Sequence, residues 1–486
     1  MSLFATKSVD SIMAEAEGGK HQLRRSLGPI NLMALGVGAI IGAGLFSLTG
    51  LAASKAAGPA VALSMVVAGI GCAFAGLCYS EFSCMIPVAG SAYTYAYATM
   101  GEYLAWIIGW DLVLEYAVGA ATVSISWSGY VYSLLKDFGI TIPTAIAAGP
   151  LGMKLPDGST LRGYFNLPAV VIIILITMLL IAGIRESTRT NGIVVAIKLT
   201  VVLVFIALGW SYIHPANYTP FIPRNTGTFG EFGISGIMFG AGIIFFAYIG
   251  FDAVSTAAQE ARNPQKDMPI GIIGSLVICT VLYILFSIVL TGILPYTRLG
   301  GTAPVADAVN ETGIRWLMLA IKFGIICGYT SVMLVMLLGQ SRVFLSMSRD
   351  GLVPAVFSQI HERFRTPWRS NILFCFFVAP FSAFLSLDIV GEMTSIGTLF
   401  AFVIVCAAVW IMRRKNPDRP RPFRTPWVPF VPIMGILWNF AMMYSLGWSN
   451  WLRLIVWFVI GQAVYFSYSR HHSHLRQREG AVSAPQ

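Results

Sequence analysis

Charge is what this sequence has least of. Only 11% of its 486 residues are Asp, Glu, Lys or Arg, against roughly a quarter in an average soluble domain. So few charges cannot cover the surface of a water-soluble chain this long, so several soluble domains, the usual reading of the length, are excluded. Cysteine pattern is missing as well: the seven cysteines are odd in number, form no CxxC pair and lie in or beside apolar runs. That argues against a disulfide framework or a thiolate metal site and for buried packing thiols. The first 26 residues hold no apolar core and cleavage site of a signal peptide. Insertion is therefore expected to start from the first apolar run. Histidine is scarce and dispersed. His21, His361, His471, His472 and His474 fall in tails or basic loops and His214 on the other side. No nucleophile–His–acid set exists at one depth, so an enzyme is not expected.

What is there is apolar length. Twelve runs reach about the 20 residues that a bilayer requires. They lie at roughly 29–53, 58–84, 98–130, 166–184, 191–213, 232–258, 269–294, 314–340, 370–387, 393–412, 427–446 and 451–469, and are called runs 1 to 12 below. Run 3 is long enough to tilt or to begin as an interfacial segment. The expected fold is an all-α membrane protein of twelve spans. The formal charge of +10 does not point to nucleic acid, because the basic residues sit at the ends of runs. With the N-terminus inside, 22 of the 32 Lys and Arg fall on the inside, 8 on the outside and 2, Lys198 and Lys322, within runs. The positive-inside rule therefore predicts that both termini are cytoplasmic. The 131–165 segment reads as an outside loop with a short helix. Asn217-Tyr-Thr and Asn310-Glu-Thr match glycosylation sequons, a common chance pattern.

Two runs carry built-in weak points. Run 1 contains Gly36-Val-Gly38-Ala-Ile40-Ile41-Gly42-Ala43-Gly44-Leu-Phe46, with four glycines in nine residues. Close helix packing through Gly38 and Gly42 is the plainer explanation; a break in the helix at bilayer depth is the sharper one. Run 6 contains Gly240-Ala-Gly242-Ile-Ile-Phe245-Phe246-Ala247-Tyr248-Ile249-Gly250-Phe251-Asp252. Breaks five runs apart fit two five-helix halves of opposite topology, with paired broken helices forming a midplane site. Freed N–H groups would hold a carboxylate and freed carbonyls an ammonium, which suits a zwitterionic amino acid.

Charges at bilayer depth mark function or a partner. Asp111 and Glu115 share one face of run 3, either as structural hydrogen-bonding groups or as proton carriers. Asp252 follows the run 6 break. Lys198 is two turns into run 5 and either snorkels or titrates by desolvation. Lys322 reads as an interfacial residue. Glu81 and Asp350 are expected near the cytoplasmic surface, as caps or in gate-closing ion pairs with Arg342 or Arg349. Met333 and Met336 on run 8 either border the substrate or fill the core.

These segments together resemble the amino acid–polyamine–organocation (APC) superfamily, and within it a bacterial member of the cationic amino acid transporter family. The matching stretches are Gly38–Phe46, Glu81 with Pro87–Tyr93, Ala247–Thr256 with Glu260–Gln265, Arg342 with Ser348–Pro354, and Arg421–Pro426. Each is weak alone, but five in order along the chain are specific. The resemblance implies a five-plus-five inverted repeat (29–213 and 232–412) with discontinuous helices 1 and 6. Two further helices (427–469) follow, and cytoplasmic tails (1–28 and 470–486) flank the whole. It implies that Ile40, Ile41, Gly42, Ala43 and Gly44 offer amides to a substrate carboxylate. Phe246, Ala247 and Ile249 would offer carbonyls to the amino group, with Phe246 also a gate. Lys198 matches the lysine that stands in for sodium in proton-coupled members. Glu115 departs from animal members, and Met333 and Met336 give no polar partner to a guanidinium. Small neutral amino acids are thus expected at least as readily as cationic ones. Twelve rather than fourteen spans favour a bacterial source. The expectation is therefore proton-coupled uptake of L-amino acids by alternating access at the bacterial inner or plasma membrane. H+ is the coupling ion, and neither cofactor, metal nor nucleic acid is involved; a small accessory membrane subunit is left open. Lys198, Glu115 and Asp252 are the candidate coupling groups. Obligate exchange and a flux-free amino acid sensor are the alternatives.

Overall fold

The computed structural model describes residues 5–17, 27–88, 90–154, 159–183 and 188–477. Arg185 of the 4–5 loop, His21 and most of the N-terminal tail, Ala89, and the chain after 477 lie outside the described residues. The regular structure among the described residues is helical apart from a two-stranded hairpin, Met153–Lys154 with Thr160–Leu161, and one isolated bridge between Leu27 and Ala261. Among the described residues, eight helices are long and apolar enough to cross a membrane: Gly44–Met85, Glu102–Asp137, Gly192–Tyr212, Gly233–Thr256, Pro264–Ile293, Arg315–Arg349, Leu387–Lys415 and Trp448–Gln477. Four shorter apolar helices, Pro29–Ile40, Leu167–Ile181, Trp368–Phe384 and Phe430–Ser445, account for the first part of run 1 and for runs 4, 9 and 11.

The run boundaries shift where polar residues are covered by neighbours rather than by water. Run 3 does not begin at residue 98. A separate helix, Ser91–Thr99, ends before Gly101, whose φ of +98° turns the chain into Glu102–Asp137. Run 8 continues to Arg349 and run 10 spans Leu387–Lys415. The 131–165 segment keeps its short helix, Thr144–Ala147, and adds the hairpin.

Run 1 is two helices. Pro29 opens the first, where its missing N–H costs nothing, and Ile40 ends it. Ile41 is extended, with φ −71° and ψ 105°, and the chain re-enters a π-helical turn at Gly44–Leu48. Run 6 is broken too. The Gly233–Ile244 helix tightens into a 3₁₀ turn over Phe245–Tyr248, Ile249 is extended (φ −59°, ψ 132°), and Ala253–Thr256 resumes.

Both described ends of the chain meet at one end of the bundle, around Asp350. Lys7 pairs with its carboxylate at 2.9 Å, Tyr93 donates to it at 2.7 Å, and the His474 backbone N–H donates to its carbonyl at 3.1 Å. This corrects the expected pairing of Asp350 with Arg342 or Arg349. Glu81, at the same end, takes Arg413 as a two-pronged partner at 2.9 and 2.8 Å, with Arg421 Nε 3.2 Å away. Both acids draw on parts of the chain hundreds of residues distant, which local spacing does not reveal. Lys322 is a further correction. It is fully buried and pairs with Asp137 at 2.5 Å at the far end; the extra turns of run 3 carry Asp137 to it.

Candidate functional site

The two breaks touch through their backbones. A Cβ on Gly44 would lie 2.1 Å from the Ala247 Cα, and one on Gly250 (φ +121°) would lie 2.8 Å from the Ala39 carbonyl carbon. Glycine is the residue that allows both approaches. As run 1 advances from Ala39 to Gly44, its partner runs back from Gly250 to Ala247, so the broken segments pass antiparallel. Ile41, Ala43 and Ala247 are completely buried.

The polar groups released by the breaks divide by sign. Gly42 and Ala43 precede the restarting helix, and neither N–H has a backbone acceptor among the described residues; a helix start leaves its first N–H groups free. On run 6, the Phe246 carbonyl accepts from the Ile249 N–H at 3.2 Å. The Ala247 carbonyl accepts from the Tyr283 hydroxyl at 2.9 Å, and the same hydroxyl donates to the Ile40 carbonyl at 2.9 Å. The Ile249 carbonyl has no donor among the described residues. One hydroxyl proton on run 7 thus ties the two breaks together. The sequence reading missed Tyr283; its only signal is a hydroxyl inside an otherwise apolar run.

Lys198 is buried, and its ammonium donates to the Gly38 carbonyl at 2.6 Å. Gly38 lies in the last turn before the break, where carbonyls lack helical donors and the helix dipole is negative. Its alkyl stem lies along Gly328 of run 8, where an added Cβ would be 3.2 Å from Cε. Lys198 therefore does not snorkel; its charge is held at a half-helix C-terminus.

Run 8 closes another side. Val332 sits 3.2 Å from where a Gly42 Cβ would be, and Met336, one turn on, places its sulfur 3.4 Å from the Gly119 Cβ position on run 3. Met333 is fully buried. Beyond the break, Tyr130 donates to the Phe46 carbonyl at 2.6 Å. Ser47 meets the Tyr329 hydroxyl at 2.9 Å and donates to the Thr302 carbonyl at 2.8 Å. These contacts seal the far side.

The acids gather elsewhere. Asp252 accepts from the Tyr116 hydroxyl at 2.7 Å and from the Gly250 N–H at 3.2 Å. Glu115 lies in a π-helical bulge, Leu114–Val118, and its carboxyl faces Asp252. Asp111 and Glu115 are buried, and none of their four carboxyl oxygens receives a hydrogen bond from a described donor. Lys198 thus contacts run 1, while Glu115 and Asp252 meet at run 6. No ion pair joins the lysine to either acid among the described residues.

Comparison with known proteins shows the family. The amino acid permease family model matches residues 27–461. The chain is 46% identical to the branched-chain amino acid permease BcaP of Bacillus subtilis (strain 168), over 98% of this chain and 99% of that one. It is 43% identical to the methylthioribose transporter of the same organism, over 98% and 100%. To the vacuolar cationic amino acid transporter 4 of Arabidopsis thaliana it is 36% identical, over 86% of this chain and 68% of that one. A match of this extent leaves one assignment: the chain belongs to the amino acid permease family of the APC superfamily.

Proposed function

We propose that this protein is a secondary transporter that takes up L-amino acids with protons by alternating access, through twelve spans arranged as two inverted halves plus two helices. The observation that carries the reading is the antiparallel meeting of two helix breaks, with free amides at Gly42 and Ala43 on one side and the Ile249 carbonyl on the other. A carboxylate binds at a helix start and an ammonium at freed carbonyls, so the site suits a zwitterion. Ile40, Ile41, Gly44, Phe246 and Ala247 shape it, and Ala247 is already partly committed to Tyr283. Met333 and Met336 supply apolar surface, which favours neutral side chains over a guanidinium; the BcaP relative supports aliphatic substrates. The end carrying both termini faces the cytoplasm in this reading, as the Lys and Arg distribution supports. Lys198 is the coupling group. Its ammonium stabilises the negative end of the inner half-helix, and loss of its proton removes that interaction when run 1 moves.

A second substrate reading comes from the methylthioribose transporter relative, whose named substrate is a sugar without carboxylate or ammonium. Thermal-shift measurements on the purified protein against the twenty amino acids and methylthioribose separate the two. Stabilisation by aliphatic amino acids is expected. Stabilisation by methylthioribose alone contradicts the zwitterion site.

A further inference from the structure

The acids beside the run 6 break form a site of their own. Asp252 is fully buried at the cap of the helix that resumes after the break, fixed on one oxygen by Tyr116 and on the other by the Gly250 N–H. Facing it from the run 3 bulge is Glu115, equally buried, with neither oxygen receiving a hydrogen from any described donor. Around the pair stand Asp111 and Thr398, the Tyr79 and Tyr95 hydroxyls and the Ala253 N–H. Tyr79 is fully buried, its hydroxyl has no acceptor among the described residues, and it lies within electrostatic reach of both Asp252 and Glu115. No described lysine or arginine forms an ion pair with Glu115, Asp252 or Asp111, and no described His, Cys, Asp and Glu cluster is shaped for a metal ion.

Two ionised carboxylates can only accept hydrogen bonds, so face to face in a buried site they repel and leave lone pairs unmet. A single proton removes both costs, because one carboxyl then donates to the other. We propose that Glu115 and Asp252 bind one proton between them, as a carboxylic acid hydrogen-bonded to a carboxylate, forming a protonation site distinct from Lys198. The step is simple addition: one proton from water joins one of the two carboxylates and leaves one net negative charge. The shared proton fastens the outgoing half of run 6 to the bulge of run 3, where π-helical turns commonly mark function. Swinging run 6 away from run 3 breaks that bond and leaves one acid and one carboxylate without each other, which favours release of the proton or uptake of a second one. The transport role assigned to this step rests on the proton-coupled reading above; the proton's presence does not.

The test is infrared difference spectroscopy of the purified full-length protein in H2O and D2O, without substrate. A deuterium-sensitive carboxylic acid C=O band is expected in the wild type. It should be lost in Glu115→Gln and also in Asp252→Asn, since either amide replaces the shared proton with its own N–H donor. Asp111→Asn identifies any band belonging to Asp111. Tyr116→Phe, which removes a donor to Asp252, should shift the pair's band without abolishing it. Thermal melting checks that each variant is folded; if Asp252→Asn is not, Glu115→Gln decides alone. A band unchanged in Glu115→Gln overturns the proposal, as does the loss of a different band in each variant, which would mean two separate protons. The spectrum requires no transport, so an error in the substrate or coupling assignment leaves this result intact.

Discussion

The Tyr283 hydroxyl lies 2.9 Å from both the Ile40 and the Ala247 carbonyl oxygens, so one side chain on run 7 bridges the two broken helices. Both carbonyls are buried, and a buried acceptor that loses its donor costs about 1–3 kcal/mol. Tyr283→Phe is expected to lower the melting temperature and to weaken substrate binding, because the Ala247 carbonyl is no longer held in place. Melting curves with and without a bound amino acid measure both effects; a variant with unchanged stability and affinity would show that the bridge is incidental.

Gly44 tests the contact between the breaks directly. An alanine there places its Cβ 2.1 Å from the Ala247 Cα, and a backbone atom cannot rotate out of the way. Gly44→Ala should push the two segments apart and abolish amino-acid-induced thermal stabilisation. Gly28→Ala, which meets nothing within 4 Å, is the matched control and should bind normally.

The breaks were legible in the sequence because their cause is local: Gly42 and Gly44 in run 1 and Gly250 in run 6, each within a few residues of its own break. Lys198 stood out as a charge in an apolar run, although its partner, Gly38, did not. Contacts made across the fold left no such trace. Tyr283 reads as one aromatic among many, and the Lys7–Asp350 pair spans 343 positions. Lys322 reads as interfacial because it lies near the end of run 8, and its partner Asp137 falls seven residues beyond the end that the sequence gives run 3.

That pair yields a further prediction. Lys322 is completely buried while Asp137 keeps 20% exposure, and removing one partner of a buried pair costs about 3–5 kcal/mol. Lys322→Ala should approach that loss in thermal unfolding. Asp137→Asn with Lys322→Met should recover much of it, because no unpaired charge remains. Equal damage from the single and double variants would argue against an ion pair as the cause.

Asp307 lies on the Pro304–Glu311 helix, beside the loop whose Thr302 carbonyl accepts from Ser47. Burial pushes its carboxyl up to about 7, against the opposing pull of Lys322, Arg298 and Lys136. The packed helix thus binds a proton that a loosened one does not. Packing of this segment is favoured most below the ordinary carboxylate range, and the gain is lost as pH rises through about 7. Hydrogen exchange across 299–311, corrected for intrinsic rate, should quicken on passing from one unit below that value to one unit above. Asp307→Asn should flatten the dependence.

At the other end, Lys7, Tyr93 and the His474 backbone converge on Asp350. The Lys7–Asp350 pair is mostly buried, with 13% exposure on each side. Asp350→Asn should loosen the 5–17 segment, read as faster exchange there, with a smaller effect at 470–477, where the His474 bond is to backbone. Faster exchange at the C-terminal segment alone would contradict this ordering.

Lys198 is proposed to couple the site between the breaks to the proton. Its most direct test is net uptake of an aliphatic amino acid by the purified protein in liposomes under an inward proton gradient, beside counterflow without a gradient. Wild-type protein should accumulate substrate when the outside is acidified. Lys198→Ala should lose that acid-driven uptake while substrate still protects it from thermal unfolding. Full acid-driven uptake by Lys198→Ala would show that the proton is coupled elsewhere than at Lys198.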